Sequence, residues 1–154
     1  MSDITLRPFG MDDPQSLTRW YQEDRDGIES FMGAEIPNEI ASTMAFNLLL
    51  EKQQRGTAIF RMVYRGDDPI GFTAVTEISV EDRSGRPHWY VAKDQRRYSM
   101  AVARESEREA IRIGFRGFLA SIPPKNTTAL KVAKRLGYSE IDRVLMVKEF
   151  TNGY

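Results

Sequence analysis

Arg96, Arg97, Ser99 and Ala101 stand close together in the stretch DQRRYSMAVARES, residues 94–106, immediately ahead of a segment with helical periodicity. Such a grouping suits an anion. The first N–H groups of a helix lack intrahelical acceptors, and the helix dipole adds roughly half a positive charge at that end. Phosphate is held there when small side chains leave the main chain open, as Ser99 and Ala101 would. Each charge-assisted contact from an arginine would contribute ~1–3 kcal/mol. A plainer reading of the same residues is Ser99 as a helix cap and two solvated arginines.

Other chemistries are narrowed by composition. The chain has no cysteine and one histidine, His88, which excludes disulfides, thiolate nucleophiles, and thiolate or histidine-rich metal sites. No metal is implied. Reactivity must come from hydroxyls, carboxylates, main-chain amides or a borrowed cofactor. The net charge of zero hides a division: residues 20–50 carry six acids against one base, whereas residues 86–135 carry twelve bases against four acids. The basic half could meet an anion, or both regions could be solvated faces. It lacks the interleaved aromatic and basic residues of nucleic-acid modules, so nucleic acid is not an expected partner.

The elements that would position these residues follow from periodicity. A length of 154 residues suits one domain, 1–154, able to close its own core. No apolar run reaches the ~18 residues of a membrane span, and MSDITLRPFG lacks the order of a secretory signal. A cytoplasmic protein without a membrane partner is expected. Ile4 to Phe9 reads as a strand, then Pro14 to Asp24 as a helix capped by Asp12 or Asp13. Gly27 and Gly33 loosen the middle, and a second helix runs from Pro37 to Gln54. Thr57–Tyr64, Ile70–Val80 and His88–Lys93 form an antiparallel meander with turns at RGDDP and EDRSGRP. A helix over Met100–Phe115, a strand over Gly117–Ile122, a helix over Thr128–Leu136 ended by Gly137, and a strand over Arg143–Phe150 complete the order.

Several of these segments carry a family's motifs. Counted from Val91, VAKDQRRYSMA resembles motif A of the GNAT superfamily of acetyl-CoA-dependent acyltransferases, with Arg96, Ser99 and Ala101 on its R/Q-x-x-G-x-G/A positions. NTTALKVAKRLGY, Asn126 to Tyr138, resembles the family's N-x-x-A helix with its terminal G-F/Y pair. ITLRPF and DDPIGFTAV resemble its first strand and its second hairpin. The resemblance implies an α/β (α+β) fold: a mixed, mostly antiparallel sheet of six to seven strands, about four flanking helices, and a splayed central strand pair. It also implies acetyl-CoA as co-substrate. The main-chain amides of Arg97, Tyr98, Ser99, Met100, Ala101 and Val102 would hold its pyrophosphate, with Arg96 and Arg97 supplying charge. Val91 would present main chain to the acetyl and pantetheine parts, and Asn126 would fix the cofactor arm.

Two positions depart from the family pattern: Ser99 stands where motif A opens with glycine, and Ala133 stands where many members carry a tyrosine that protonates the departing thiolate. Glu77 and His88 are the candidate catalytic bases, with Asp82 read as a turn residue. His88 lies three residues from Val91, so the two side chains should leave opposite faces of the sheet. The acceptor side of the family is built from the first two helices and their connection. Here Trp20, Glu23, Asp24 and Phe31 become candidate substrate-binding residues, and the acids suit a cationic amine of a small molecule or a protein. The implied reaction is direct attack of that amine on acetyl-CoA. The alternative is a catalytically silent GNAT-like binding or structural module, since the sequence is also similar to GNAT-like proteins of tailed phages. Oligomeric state is left open, with a homodimer among the alternatives.

Overall fold

The computed structural model describes residues 3–9, 13–32, 35–141 and 145–150. Seven strands form one sheet: β1 (Ile4–Pro8), β2 (Ile59–Arg65), β3 (Asp68–Ser79), β4 (Ser84–Val91), β5 (Gly117–Ser121), β6 (Ser139–Glu140) and β7 (Leu145–Glu149). Their spatial order is β1-β2-β3-β4-β5-β7-β6. Every neighbouring pair is antiparallel except β4–β5. The parallel pair arises because the chain leaves β4 through a helical crossover long enough to return in the same direction. The helices are α1 (Asp13–Glu23), α2 (Arg25–Met32), α3 (Glu39–Gln54), α4 (Ser99–Ile113) and α5 (Thr127–Arg135), with a 3-10 helix over Lys93–Tyr98.

The two sheet faces are sorted by strand alternation. Phe60, Met62, Phe72, Ala74 and Tyr90 point to one face, where Leu17, Trp20, Ile28, Phe31, Phe46 and Leu49 of α1, α2 and α3 cover them. Val63 and Val91 point to the other and meet Val102 of α4, and Ile70 joins them because the register shift opposite Val63 and Tyr64 makes it an extra residue of β3. Among the described residues, no helix is long and apolar enough to cross a membrane.

Three expectations need correction. The segment around Gly27 is the helix α2, because Asp24 caps it: Asp24 Oδ1 accepts the Gly27 N–H at 3.2 Å, and the Ile28 N–H donates to the Asp24 carbonyl at 3.1 Å. α3 starts at Glu39, two residues after Pro37, since Asn38 is its cap and accepts from the Ala41 N–H at 2.9 Å. β4 begins at Ser84 instead of His88, so Ser84, Gly85 and Pro87 belong to a strand and the turn is confined to residues 80–83. The expected cap Asp12, the break at Gly33 and the strand start at Arg143 lie outside the described residues.

Candidate active site

The site begins where β4 and β5 part. They pair at Ser84 with Gly117 and at Gly85 with Phe118, and at no later position among the described residues. β4 nevertheless stays paired with β3 as far as Val91, and beyond it the Ala92 N–H donates to the Ile70 carbonyl at 2.8 Å. A strand's main-chain groups alternate between its two edges, so the even-numbered residues that address β3 leave Trp89 and Val91 addressing the open edge. Pro87 falls on that same edge and has no N–H to extend the β4–β5 ladder. The result is a V-shaped opening. One arm offers unpaired strand amides at Trp89 and Val91, and α4 starts at its mouth.

Asn126 sits on the far arm, after β5. Its Oδ1 accepts the Ala129 N–H at 3.1 Å and so caps α5, while its Nδ2 donates to Ser30 Oγ of α2 at 3.1 Å. Because α2 packs on β4, this bond runs from one arm of the V to the other. Ala133 is fully buried in the cluster of α4, α5 and β5.

The loop into α4 is tighter than the motif suggests. Residues 93–98 are a 3-10 helix, in which the Gln95 N–H donates to the Ala92 carbonyl at 2.8 Å and the Ser99 N–H to the Arg96 carbonyl. The Ser99 amide is therefore engaged within the chain. Val102 reaches back to Tyr98 as the first full α-helical turn, which leaves Met100 and Ala101 as the amides of that turn with no i−4 acceptor. Arg97 bonds the Asp94 carbonyl at 3.1 Å and lies over the Tyr98 ring, 4.7 Å from its centroid. Arg65 takes a second place over the same ring at 4.9 Å. Arg96 turns away from the helix to Asp24, Nη2 to Oδ2 at 2.8 Å. Gln95 Oε1 is buried without a hydrogen-bond partner.

His88 and Val91 leave opposite faces, as their spacing requires. Phe31 of the α1–α3 face packs edge-on to the His88 ring at 5.6 Å, and Val91 lies in the α4 cluster. His88 Nε2 is 2.9 Å from Thr76 Oγ1, and a hydrogen bond with the Phe31 main chain engages the ring further. Burial holds the imidazole below its ordinary pKa, against the smaller raising effects of that bond and of Glu77. A base with a depressed native pKa binds fewer protons folded than unfolded, so its contribution is complete above the unfolded value and is lost as pH falls. Urea unfolding at about pH 7.5 and about pH 5.5 should show a larger acid-side loss for the natural chain than for His88→Gln. Equal losses would show that His88 is as free to charge in the native state as in the unfolded one.

Glu77 adopts φ 49° at the irregularity between Thr76 and Ser79, its side chain is 65% exposed, and its carboxylate pairs with Arg86. Asp82 serves the neighbouring turn, its N–H donating to Ser79 Oγ at 3.2 Å. Of the four acceptor-side residues, Trp20 and Phe31 are core, packed on Phe72 at 5.9 and 4.5 Å. Asp24 is buried in its pair with Arg96, and Glu23 alone of the four is exposed. Trp89 was not among the candidates. Its signal was present in the alternation, two residues before Val91 on the same strand.

The family model for the acetyltransferase (GNAT) domain matches residues 3–139. No curated protein sequence matches the chain. Among solved structures, Mycobacterium smegmatis RimJ in complex with CoA-disulfide superposes with TM-score 0.78 at 15% identity, covering 95% of this chain and 81% of that one. Vibrio cholerae spermidine N-acetyltransferase, in complex with CoA and spermine, gives TM-score 0.77 at 15% identity over 95% and 92%. A Salmonella typhimurium acetyltransferase that modifies the N-terminal serine of ribosomal protein L7/L12 gives 0.78 at 12% over 96% and 95%. With the parted strands, the helix start at their mouth and a domain match over most of its length, the chain belongs to the GNAT family and is an acetyl-CoA-dependent acyltransferase.

Proposed function

We propose that the chain moves the acetyl group of acetyl-CoA onto an amine of a small molecule or a protein. The parting of β4 from β5 after Gly85 and Phe118 carries this reading. It leaves the Trp89 and Val91 amides for the pantetheine arm and the thioester carbonyl. The Met100 and Ala101 amides then face the pyrophosphate, which needs small neighbours and finds Ser99 and Ala101. The attacking amine nitrogen bonds the carbonyl carbon, the C–S bond breaks, and the amine proton leaves as the amide forms. A main-chain donor on the developing oxyanion contributes most when it is fixed beforehand, as a strand amide is.

His88 is neutral by burial and so in the protonation state of a base, with Thr76 Oγ1 as its contact. Glu77 and water are the other routes for the proton. With alanine at position 133, water or the acceptor returns a proton to the thiolate. An amine acceptor is supported by Glu23, Asp26 and Glu35, all exposed acids on the α1–α3 side, and by the spermine and N-terminal serine of two structural neighbours.

Calorimetric titration of the whole chain with acetyl-CoA should give saturable binding, competed by CoA. The Ala101→Glu variant, which places a carboxylate beside the pyrophosphate amides, should weaken it about a hundredfold or more. No heat at millimolar acetyl-CoA would overturn the proposal.

A further inference from the structure

Asp24 is the residue at which α1 ends and α2 begins. Its N–H closes α1 on the Trp20 carbonyl at 2.8 Å, and its carbonyl opens α2 by accepting from Ile28 at 3.1 Å. The carboxylate is divided between two tasks. Oδ1 caps α2 through the Gly27 N–H, and Oδ2 accepts the Tyr90 hydroxyl at 2.9 Å and Arg96 Nη2 at 2.8 Å. Tyr90 belongs to β4, one residue before Val91, and Arg96 belongs to the 3-10 helix that leads into α4. One buried oxygen therefore gathers the α1–α2 junction, the end of the open strand and the loop beside it.

Steric detail shows that the arrangement is built. A Cβ at Gly27 would lie 2.3 Å from Asp24 Oδ2 and 2.9 Å from Arg96 Nη2, so only glycine leaves room for the pair in the first turn of α2. The bond joins residues 72 apart in sequence. It also settles what each partner is free to do. A guanidinium committed to a carboxylate that is itself buried cannot leave for a phosphate without stranding that charge. The same commitment removes Asp24 from the acids available to a cationic acceptor.

We propose that Asp24 and Arg96 are a positioning pair: they hold residues 93–99 against the α1–α2 junction, so that order on the acceptor side sets the geometry of the cofactor loop. This rests on the reading of that loop given above, but the bond itself does not require it. Arg96 then acts on the cofactor through the loop and Arg97 keeps the direct electrostatic role.

Hydrogen exchange on the cofactor-free chain tests the pair. Asp24→Asn keeps a capping oxygen and removes the charge, and the amides of residues 95–99 should exchange about tenfold faster. The β2–β3 hairpin should not change. Arg96→Met should reciprocally loosen the first turn of α2 at Gly27 and Ile28, which loss of a phosphate ligand would not do, and the double variant should exceed neither single. Unchanged exchange in residues 95–99 of Asp24→Asn with an intact hairpin overturns the proposal, as does multiplicative behaviour of the double. Should Asp24→Asn prove unfolded, the α2 readout in Arg96→Met decides alone.

With acetyl-CoA, both singles should weaken binding by the same factor and leave its salt dependence unchanged. A shallower salt dependence confined to Arg96→Met marks a direct phosphate contact and also overturns the pair. Failure of the natural chain to bind acetyl-CoA would remove the proposed function and leave the exchange result standing.

Discussion

Lys148→Met will destabilise the chain by about 3–5 kcal/mol at neutral pH, and the loss will shrink on acidification. Lys148 of β7 reaches Glu107 of α4 with Nζ 2.8 and 3.1 Å from the two carboxylate oxygens, and the side chains are only 15% and 6% exposed. The neighbourhood is apolar: α4, α5 and β5 close on Phe118, Ala133 and Tyr138 there. Methionine fills the volume of the lysine stem but leaves the carboxylate without its hydrogen-bonded countercharge and with only the weaker pull of Arg104, and removing one partner of a buried pair costs far more than the pair contributes net.

The acid dependence follows from Glu107. Burial raises its pKa above the ordinary carboxylate value, and the Lys148 hydrogen bond and charge pull it part of the way back. An acid whose native pKa exceeds its unfolded pKa binds more protons folded than unfolded between the two values. Its burden on stability is therefore complete above the native value and falls away as pH drops toward the unfolded one. Without Lys148 the native pKa rises further and the window widens. Urea midpoints for the natural chain and Lys148→Met should converge between about pH 7 and about pH 5, and Glu107→Gln in the methionine background should recover stability at pH 7. A cost below about 1 kcal/mol, flat with pH, is what an exposed pair would give and would contradict the burial of this one.

This pair and the Asp24–Arg96 pair show where a single sequence stops being legible. Both join residues far apart in the chain, 41 and 72 positions, and neither distance leaves a local pattern. Local patterns were readable. The turn read at RGDDP is centred on Gly66, which takes φ 62°, while Asp68 and Pro69 already belong to β3, and Gly137 ended α5 because it takes φ 91°. The opposite facing of His88 and Val91 followed from strand alternation alone.

Errors came where a residue's local reputation differs from its tertiary task. Gly27 looked like a helix breaker and is the space that Arg96 occupies beside Asp24. SGRP looked like a turn. Gly85 is instead a strand residue whose Cβ would meet Val75 Cγ1 at 2.5 Å and Phe115 Cε1 at 3.1 Å, and Pro87 marks the edge where β5 departs. At the site, the motif located the segment correctly as a helix start. It could not show that a 3-10 helix would consume the Ser99 amide, because that depends on which carbonyl of the preceding loop lies beneath it.

Gly71→Ala should have the largest effect on the cofactor site of any change made outside it. Gly71 pairs with Val91 across β3 and β4, and its φ is one that any residue adopts. Space is the constraint. An alanine Cβ would lie 2.0 Å from the Tyr90 carbonyl oxygen and 3.1 Å from Val91 Cα, and both are main-chain atoms of a strand held on its inner edge. The strands can accommodate a methyl group only by separating. The Gly71–Val91 pair and the Ala92 to Ile70 bond at 2.8 Å lie at the point of separation. The expected cost is about 3 kcal/mol, or roughly 6–12 °C in Tm for a chain of this size.

Affinity should suffer separately, because separation carries the Val91 amide out of line with that of Trp89 while α4 stays packed behind it. Acetyl-CoA should bind about tenfold or more weakly even well below the melting range. Gly66→Ala is the matched control. Gly66 sits at φ 62° with nothing within 4 Å of an added Cβ, so alanine there costs about 1 kcal/mol of backbone strain and leaves the strand end in place. If both variants lose stability alike and neither loses acetyl-CoA, then the end of β4 does not set the cofactor's position. Selective loss in Gly71→Ala ties the close approach of β3 and β4 at Gly71 to the amides that face the V.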